Sequence, residues 1–177
     1  KKGYFFLLRI VFKLKQKGIP FQLKIVGDGQ LSRPLEKEKN RLGLQELVHF
    51  MGSQTEEQVR EQFLSADAFL FCGVVDRKGD RDGIPNVIPE AMSAGCLILA
   101  SCYAGASEAF VDGVSGFSFN PFKPAEWVEC MYDFAANPEK YLKIRKSAQI
   151  DARERFNINQ TAVKMIVAFQ RIANKSK

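Results

Sequence analysis

Apolar and polar positions along this chain fall into blocks of two kinds. Four blocks are short apolar runs: residues 21–27 (FQLKIVG), 47–52 (LVHFMG), 68–73 (AFLFCG) and 97–101 (LILAS). Their length, their β-branched and aromatic content and their nearby glycines predict strands. They lack clean polar alternation, which predicts strands covered on both faces. Residues 116–120 predict a short further strand. Before and between these runs, apolar residues recur at helical spacing over residues 4–16, 31–42 and 55–66. The last of these opens TEEQ, in which Thr55 can hold free amides and Gln58 can reach back, a capping box. Beyond Pro121 the pattern is helical, over about residues 123–174, with Pro138 dividing two helices and a last helix over about 159–173.

Alternation of strand and helix predicts an α/β fold, a Rossmann-like doubly wound parallel sheet with helices on both faces. Residues 1–177 read as one domain, without low-complexity linker or internal repeat. A doubly wound fold begins with a strand that lies centrally at the ligand crevice. The first element here is a helix ending at Gly18, so the expectation is that the first strand lies upstream of Lys1.

Composition narrows the partners. A hydrophobic content of 46% with 26% charged residues excludes a disordered chain. No apolar run reaches the ~18 residues of a membrane span, and the opening KKGYFFLLRIVF does not read as a secretory leader. The net charge of +6 suits an anionic ligand, a phosphate-bearing acceptor or an acidic membrane surface. Nucleic acid is not expected, because no recognition motif or aromatic platform is present. Cys72, Cys96, Cys102 and Cys130 stand at no metal or redox spacing. Cys72 and Cys96 read as small core hydrophobes, which fits a reducing, cytoplasmic location. The single histidine, His49, precedes an apolar Phe50 and is not expected to be catalytic.

Two stretches carry candidate chemistry. VGDGQL, residues 26–31, is a strand, a glycine turn and a helix start, but it lacks the third glycine of a dinucleotide fingerprint and reads as a tight turn. DRDGIPNVIPEAMSAG, residues 80–95, says more. The turn at Asp82-Gly83 ends a polar loop that can line a crevice. A helical pattern starts at Pro85, with Val87, Ile88, Ala91, Met92 and Ala94 available for burial. Pro89 predicts an irregular first turn and a regular helix from about Glu90. Free amides around Ile84, Asn86 and Val87, with the positive end of the helix dipole, then make an anion site suited to a diphosphate. Carboxylates beside such a site repel phosphate, so Asp82 and Glu90 are expected to meet hydroxyls, as a sugar and a ribose supply.

DGIPNVIPEAMSAGCLILAS, with KKGY and LKIVGDGQL before it and EAFVDGVSGF after it, resembles the C-terminal half of the retaining family-four (group 1) glycosyltransferases. The resemblance implies the GT-B architecture, two facing Rossmann-like lobes of which the C-terminal one holds a nucleoside-diphosphate sugar and the N-terminal one the acceptor. It implies that Asp82 contacts the donor sugar's hydroxyls, although the family usually has Glu there, one methylene longer. It implies that Glu90 contacts the ribose, and that Gly83, Ile84, Pro85, Asn86 and Val87 cradle the sugar and distal phosphate. Lys2 matches a lysine that neutralises the diphosphate, without the family's upstream arginine partner. Gln54, in the turn over residues 51–56, matches the segment lining the base pocket. Lys2, Asp82 and Glu90 are thus the catalytic candidates. The implied work needs no metal and no cofactor beyond the donor, and this lobe alone is expected to be inactive. The rivals are a nucleotide-sugar epimerase of the same architecture and a non-catalytic nucleotide-sugar-binding module. Basic groups at Lys140, Lys143, Arg145 and Lys146 and at Lys13, Lys15 and Lys17 add an expected electrostatic contact with the cytoplasmic face of a membrane, where glycans are often built on lipid-linked or saccharide acceptors.

Overall fold

The computed structural model describes residues 1–75, 79 and 83–175. Its elements follow the sequence pattern closely. Helix α1 (Tyr4–Gln16) leads to strand β1 (Leu23–Val26), helix α2 (Ser32–Arg41), strand β2 (Val48–Gly52) and helix α3 (Glu56–Ser65). Strand β3 (Ala68–Phe71), helix α4 (Val87–Ala94), strand β4 (Leu97–Ser101) and a 3-10 turn (Ala104–Glu108) come next. Strand β5 (Phe117–Phe119), helix α5 (Pro124–Ala136), a second 3-10 turn (Pro138–Tyr141), helix α6 (Leu142–Arg155) and helix α7 (Ile158–Lys175) complete the chain. The capping box of α3 forms as read: Gln58 N–H donates to Thr55 Oγ1 at 3.3 Å, and Thr55 N–H to Gln58 Oε1 at 3.0 Å. Gly27 turns the chain out of β1 at φ 113.

All paired strands are parallel, but they form two sheets, β1-β2 and β3-β4-β5. Strand β4, with a strand on each side, is buried along its whole length. Its residues divide between two cores. Leu97 and Leu99 join Leu7, Leu8, Val11 and Trp127 on the α1/α5 side, whereas Ile98 and Ala100 join Ile88, Met92 and Ala148 on the α4/α6 side. A strand shows successive side chains to opposite faces, so this division is the signature of helices on both faces.

The expectation that strands are covered on both faces holds for β4 and for β3, whose Ala68 and Leu70 pack against one core and Phe69 and Phe71 against the other. Strands β1, β2 and β3 each keep half-buried positions, and among the described residues each has an edge with no strand paired to it. Among the described residues no helix is long and apolar enough to cross a membrane.

Candidate functional site

Parallel pairing puts the C-terminal ends of the strands on one edge, and the loops leaving them meet there. The N-terminal residues join this edge. Val74 N–H donates to the Lys1 carbonyl at 2.9 Å, laying the first residues against the chain as it leaves β3. Gly3 caps α1 at φ 73, and a Cβ there would stand 1.8 Å from the Cys72 carbonyl oxygen. Glycine is therefore required twice over, by conformation and by space. The result holds Lys2 at the edge, its ammonium 5.7 Å from the centroid of the Phe71 ring, within cation–π reach.

Helix α4 rises from the same edge, and here the structure corrects the sequence reading. The helix is regular from Val87, not from Glu90. Asn86 is the N-cap, so Pro89 falls at the third helical position, where the amide has no intrahelical acceptor to lose. Pro85 precedes the helix instead of opening it; it is buried, and its carbonyl accepts from Ile88 N–H at 3.0 Å. The first bond of full helical length runs from Glu90 N–H to Asn86 O at 3.2 Å. The amides of Ile84, Asn86 and Val87 find no acceptor among the described residues. They stand at the positive end of the helix dipole, an arrangement suited to an anion. Ile88, Ala91 and Met92 are fully buried as expected, but Val87 is 36% exposed and borders the site beside Ile84.

Glu90 lies at the surface on the first turn of α4. Partial desolvation, followed by repulsion from Glu56, raises its carboxyl above the ordinary range. Glu56 sits on the first turn of α3, directly after the turn that holds Gln54. The side-chain oxygen Oε1 of Gln54 is buried with no described hydrogen-bond partner, and such an acceptor costs free energy until a donor reaches it. The fold thus brings Lys2, the amides of Ile84, Asn86 and Val87, and Glu90 to one edge, with Gln54 on an adjoining turn. Asp82 lies outside the described residues, as does most of the polar loop before it. Sequence reading missed Phe71 beneath Lys2 and Glu56 facing Glu90; both pairings are far apart in the chain, and no linear spacing announces them.

The remaining candidates sort by burial and partners. Burial pushes the Cys72 thiol up to about 12 and the Cys96 thiol to about 11, which agrees with core roles. His49 bonds through Nε2 to Gln22 Oε1, just before the paired strand β1. Several of the basic residues are engaged within the molecule. Lys140 pairs with Asp133, Lys17 with Glu129, Lys15 donates to the Gly43 carbonyl and Arg145 to the Gly95 carbonyl. Lys143 and Lys146 stay exposed, the latter in a shallow cleft of about 270 Å³ with Arg153. The apolar residues of this helix are not all committed to the core: Tyr141 and Ile144 pack inward, but Leu142 is 59% exposed.

Comparison with known proteins gives a consistent result. The family described as glycosyl transferases group 1 matches residues 1–151. The amylovoran biosynthesis glycosyltransferase AmsK of Erwinia amylovora is 31% identical over 117 residues, 66% of this chain and 29% of its own. Among solved structures, Anabaena Alr3699/HepE in complex with UDP matches with a TM-score of 0.78 at 24% identity, covering 94% of this chain and 45% of that one. The C-terminal domain of a glycosyl transferase group 1 family protein, LpcC, from Francisella tularensis matches with a TM-score of 0.75 at 16% identity, covering 89% of this chain and 80% of that domain. The chain spans less than a third of the length of AmsK and less than half of HepE.

Proposed function

The chain belongs to the group 1 glycosyl transferases, and from that premise we propose that it is the donor-binding, C-terminal lobe of a retaining enzyme. The enzyme transfers a sugar from a nucleoside diphosphate to a hydroxyl acceptor held by a facing N-terminal lobe. One observation carries this reading. A cation, a set of unpaired amides at a helix start and a carboxylate share one edge of the sheet, with a buried unpaired oxygen on the next turn, and the order matches the parts of a nucleotide sugar. Gln54 meets the base, Glu90 the ribose, Lys2 and the amides the diphosphate, and Asp82 the sugar. The likeness to a C-terminal domain of a family protein supports the assignment of the lobe.

The chemistry follows from where charge develops. As the bond from the anomeric carbon to the distal phosphate oxygen breaks, negative charge grows on the diphosphate and positive charge on the sugar ring. Preorganised donors aimed at the leaving group stabilise that state without reorganising, and Lys2 with the α4 amides fills this role. Glu90 and Asp82 orient the donor so that the ring presents one face to the acceptor. The new bond forms on the side the diphosphate leaves, which retains configuration, and the nucleoside diphosphate and one proton are released. No metal is required in this scheme, because the lysine and amides neutralise the leaving group.

This lobe alone binds donor weakly and transfers nothing, since the acceptor site belongs to its partner lobe. The enzyme works in the cytoplasm, and its basic face makes a peripheral contact with an anionic membrane surface. The test is transfer by the two-lobed protein from a set of UDP-, GDP-, ADP- and dTDP-sugars, with the anomeric product read by NMR. Retained configuration with one of them supports the reading; inversion of configuration, or epimerised donor without transfer, overturns it.

A further inference from the structure

Gly105 stands in the 3-10 turn after β4, twenty-one residues beyond Ile84 in sequence and close to the loop before α4 in space. A Cβ on Gly105 would lie 2.5 Å from the Gly83 carbonyl carbon, 2.8 Å from its oxygen and 2.8 Å from the Ile84 nitrogen, against the 3.4 Å at which ordinary contact begins. The atoms it would strike belong to the peptide that carries the Ile84 amide. Gly105 does not have a left-handed backbone, so space alone demands glycine there.

The two sides of this contact are unequally held. Behind Gly105 the turn is anchored: Ala106 and Ala109 are fully buried, and Phe110 nearly so. Arg155, at the end of α6, grips it from the rear, donating to the Glu108 carbonyl at 2.6 Å and to the Ala109 carbonyl at 3.1 Å. In front, Gly83 and Ile84 are exposed. A crowded contact relaxes toward the side that can move, and here that is the loop.

We propose that Gly105 is a positioning residue for donor turnover: its bare backbone, braced by Arg155, seats the Gly83–Ile84 peptide and so aims the Ile84 amide at the distal phosphate. The proposal rests on the donor-lobe reading above and adds to it a residue outside the helix that forms the anion site. Gly105 touches the loop and not the donor, so its effect falls on the sugar-phosphate end while the nucleoside end, held by Glu90 and Gln54, is spared.

The test uses the two-lobed protein and whichever donor sugar the wild type turns over from the four-nucleotide set. Gly105→Ala should lower kcat by about a hundredfold, the loss expected of a misplacement near 1 Å, while affinity for the matching nucleoside monophosphate stays within about twofold. That split separates positioning from general damage, which would weaken both. Should Gly105→Ala fail to fold, Arg155→Met removes the brace without adding a group, and the same split is expected at roughly tenfold. Wild-type turnover in the folded variant, or equal losses for donor and monophosphate, overturns the proposal. A wild-type protein that uses none of the donors overturns the donor-lobe reading and the proposal with it.

Discussion

Glu90→Gln changes one atom and should move two quantities in opposite directions. The first is nucleotide affinity. A hydrogen bond to a charged group is worth about 1.5–3 kcal/mol net and a neutral one about 0.5–1.5. Trading the carboxylate for an amide therefore costs about 1 kcal/mol for each hydroxyl held. Two ribose hydroxyls give ~2 kcal/mol, roughly a thirtyfold rise in Kd for the free nucleoside diphosphate. The second quantity is stability. The carboxyl of Glu90 is raised above its ordinary value of 4.5 by desolvation and then by Glu56, so the fold disfavours its charged form. A folded protein that binds the proton more tightly than the unfolded chain loses stability as pH rises. The penalty is absent below the ordinary value, develops as pH climbs through the raised one, and is complete at neutral pH. Glutamine removes it. The helix dipole works the other way at the start of α4, by ~0.3–1 kcal/mol, and the gain expected of the variant is what burial and Glu56 leave after that opposing contribution. Titration calorimetry and thermal unfolding of the two-lobed protein test both limbs. The variant should bind nucleotide more weakly, melt above wild type at pH 7, and lose that advantage as pH falls below 4.5. Added salt should shrink the part due to Glu56, because exposed charges are screened. A variant that melts below wild type at pH 7, or whose advantage ignores pH, refutes the electrostatic account.

Asp82→Asn should reduce turnover by about tenfold or more while leaving nucleoside diphosphate affinity near wild type, since its proposed contact is the sugar; parallel calorimetry and rate measurements check the division. Ser115 is fully buried, its hydroxyl donating to Asp151 at 2.6 Å and accepting from Val111 N–H at 3.0 Å. Ser115→Ala should cost about 1–3 kcal/mol by stranding both partners, read as a lowered midpoint in urea with little change in Kd for donor. Lys143, Lys146 and Arg153 changed together to Glu should abolish co-sedimentation with vesicles rich in anionic lipid at low salt, given about 1 kcal/mol per cation near such a surface. Neutral vesicles should bind neither protein.

What the sequence determined by itself was the order and type of the elements. Strand runs such as LILAS and the Thr55–Gln58 cap are local, set by neighbouring side chains and backbone amides, and they appear in the structure where the pattern put them. The helix start with its free amides at α4 was legible for the same reason, although its first turn was misjudged. Pro89 reads as a disruption until the N-cap is known, and the N-cap is fixed by the buried seat of Pro85. Tertiary structure alone decided the rest. The carboxyl of Glu90 is raised by burial and then by Glu56, thirty-four residues earlier in the chain, and the Gly83–Ile84 peptide lies close against Gly105 in the turn after β4. Both pairings arise because parallel strands must return to one edge before their loops can meet. A contact between loops of different strands leaves no periodicity in the chain, so only the folded sheet brings those residues together.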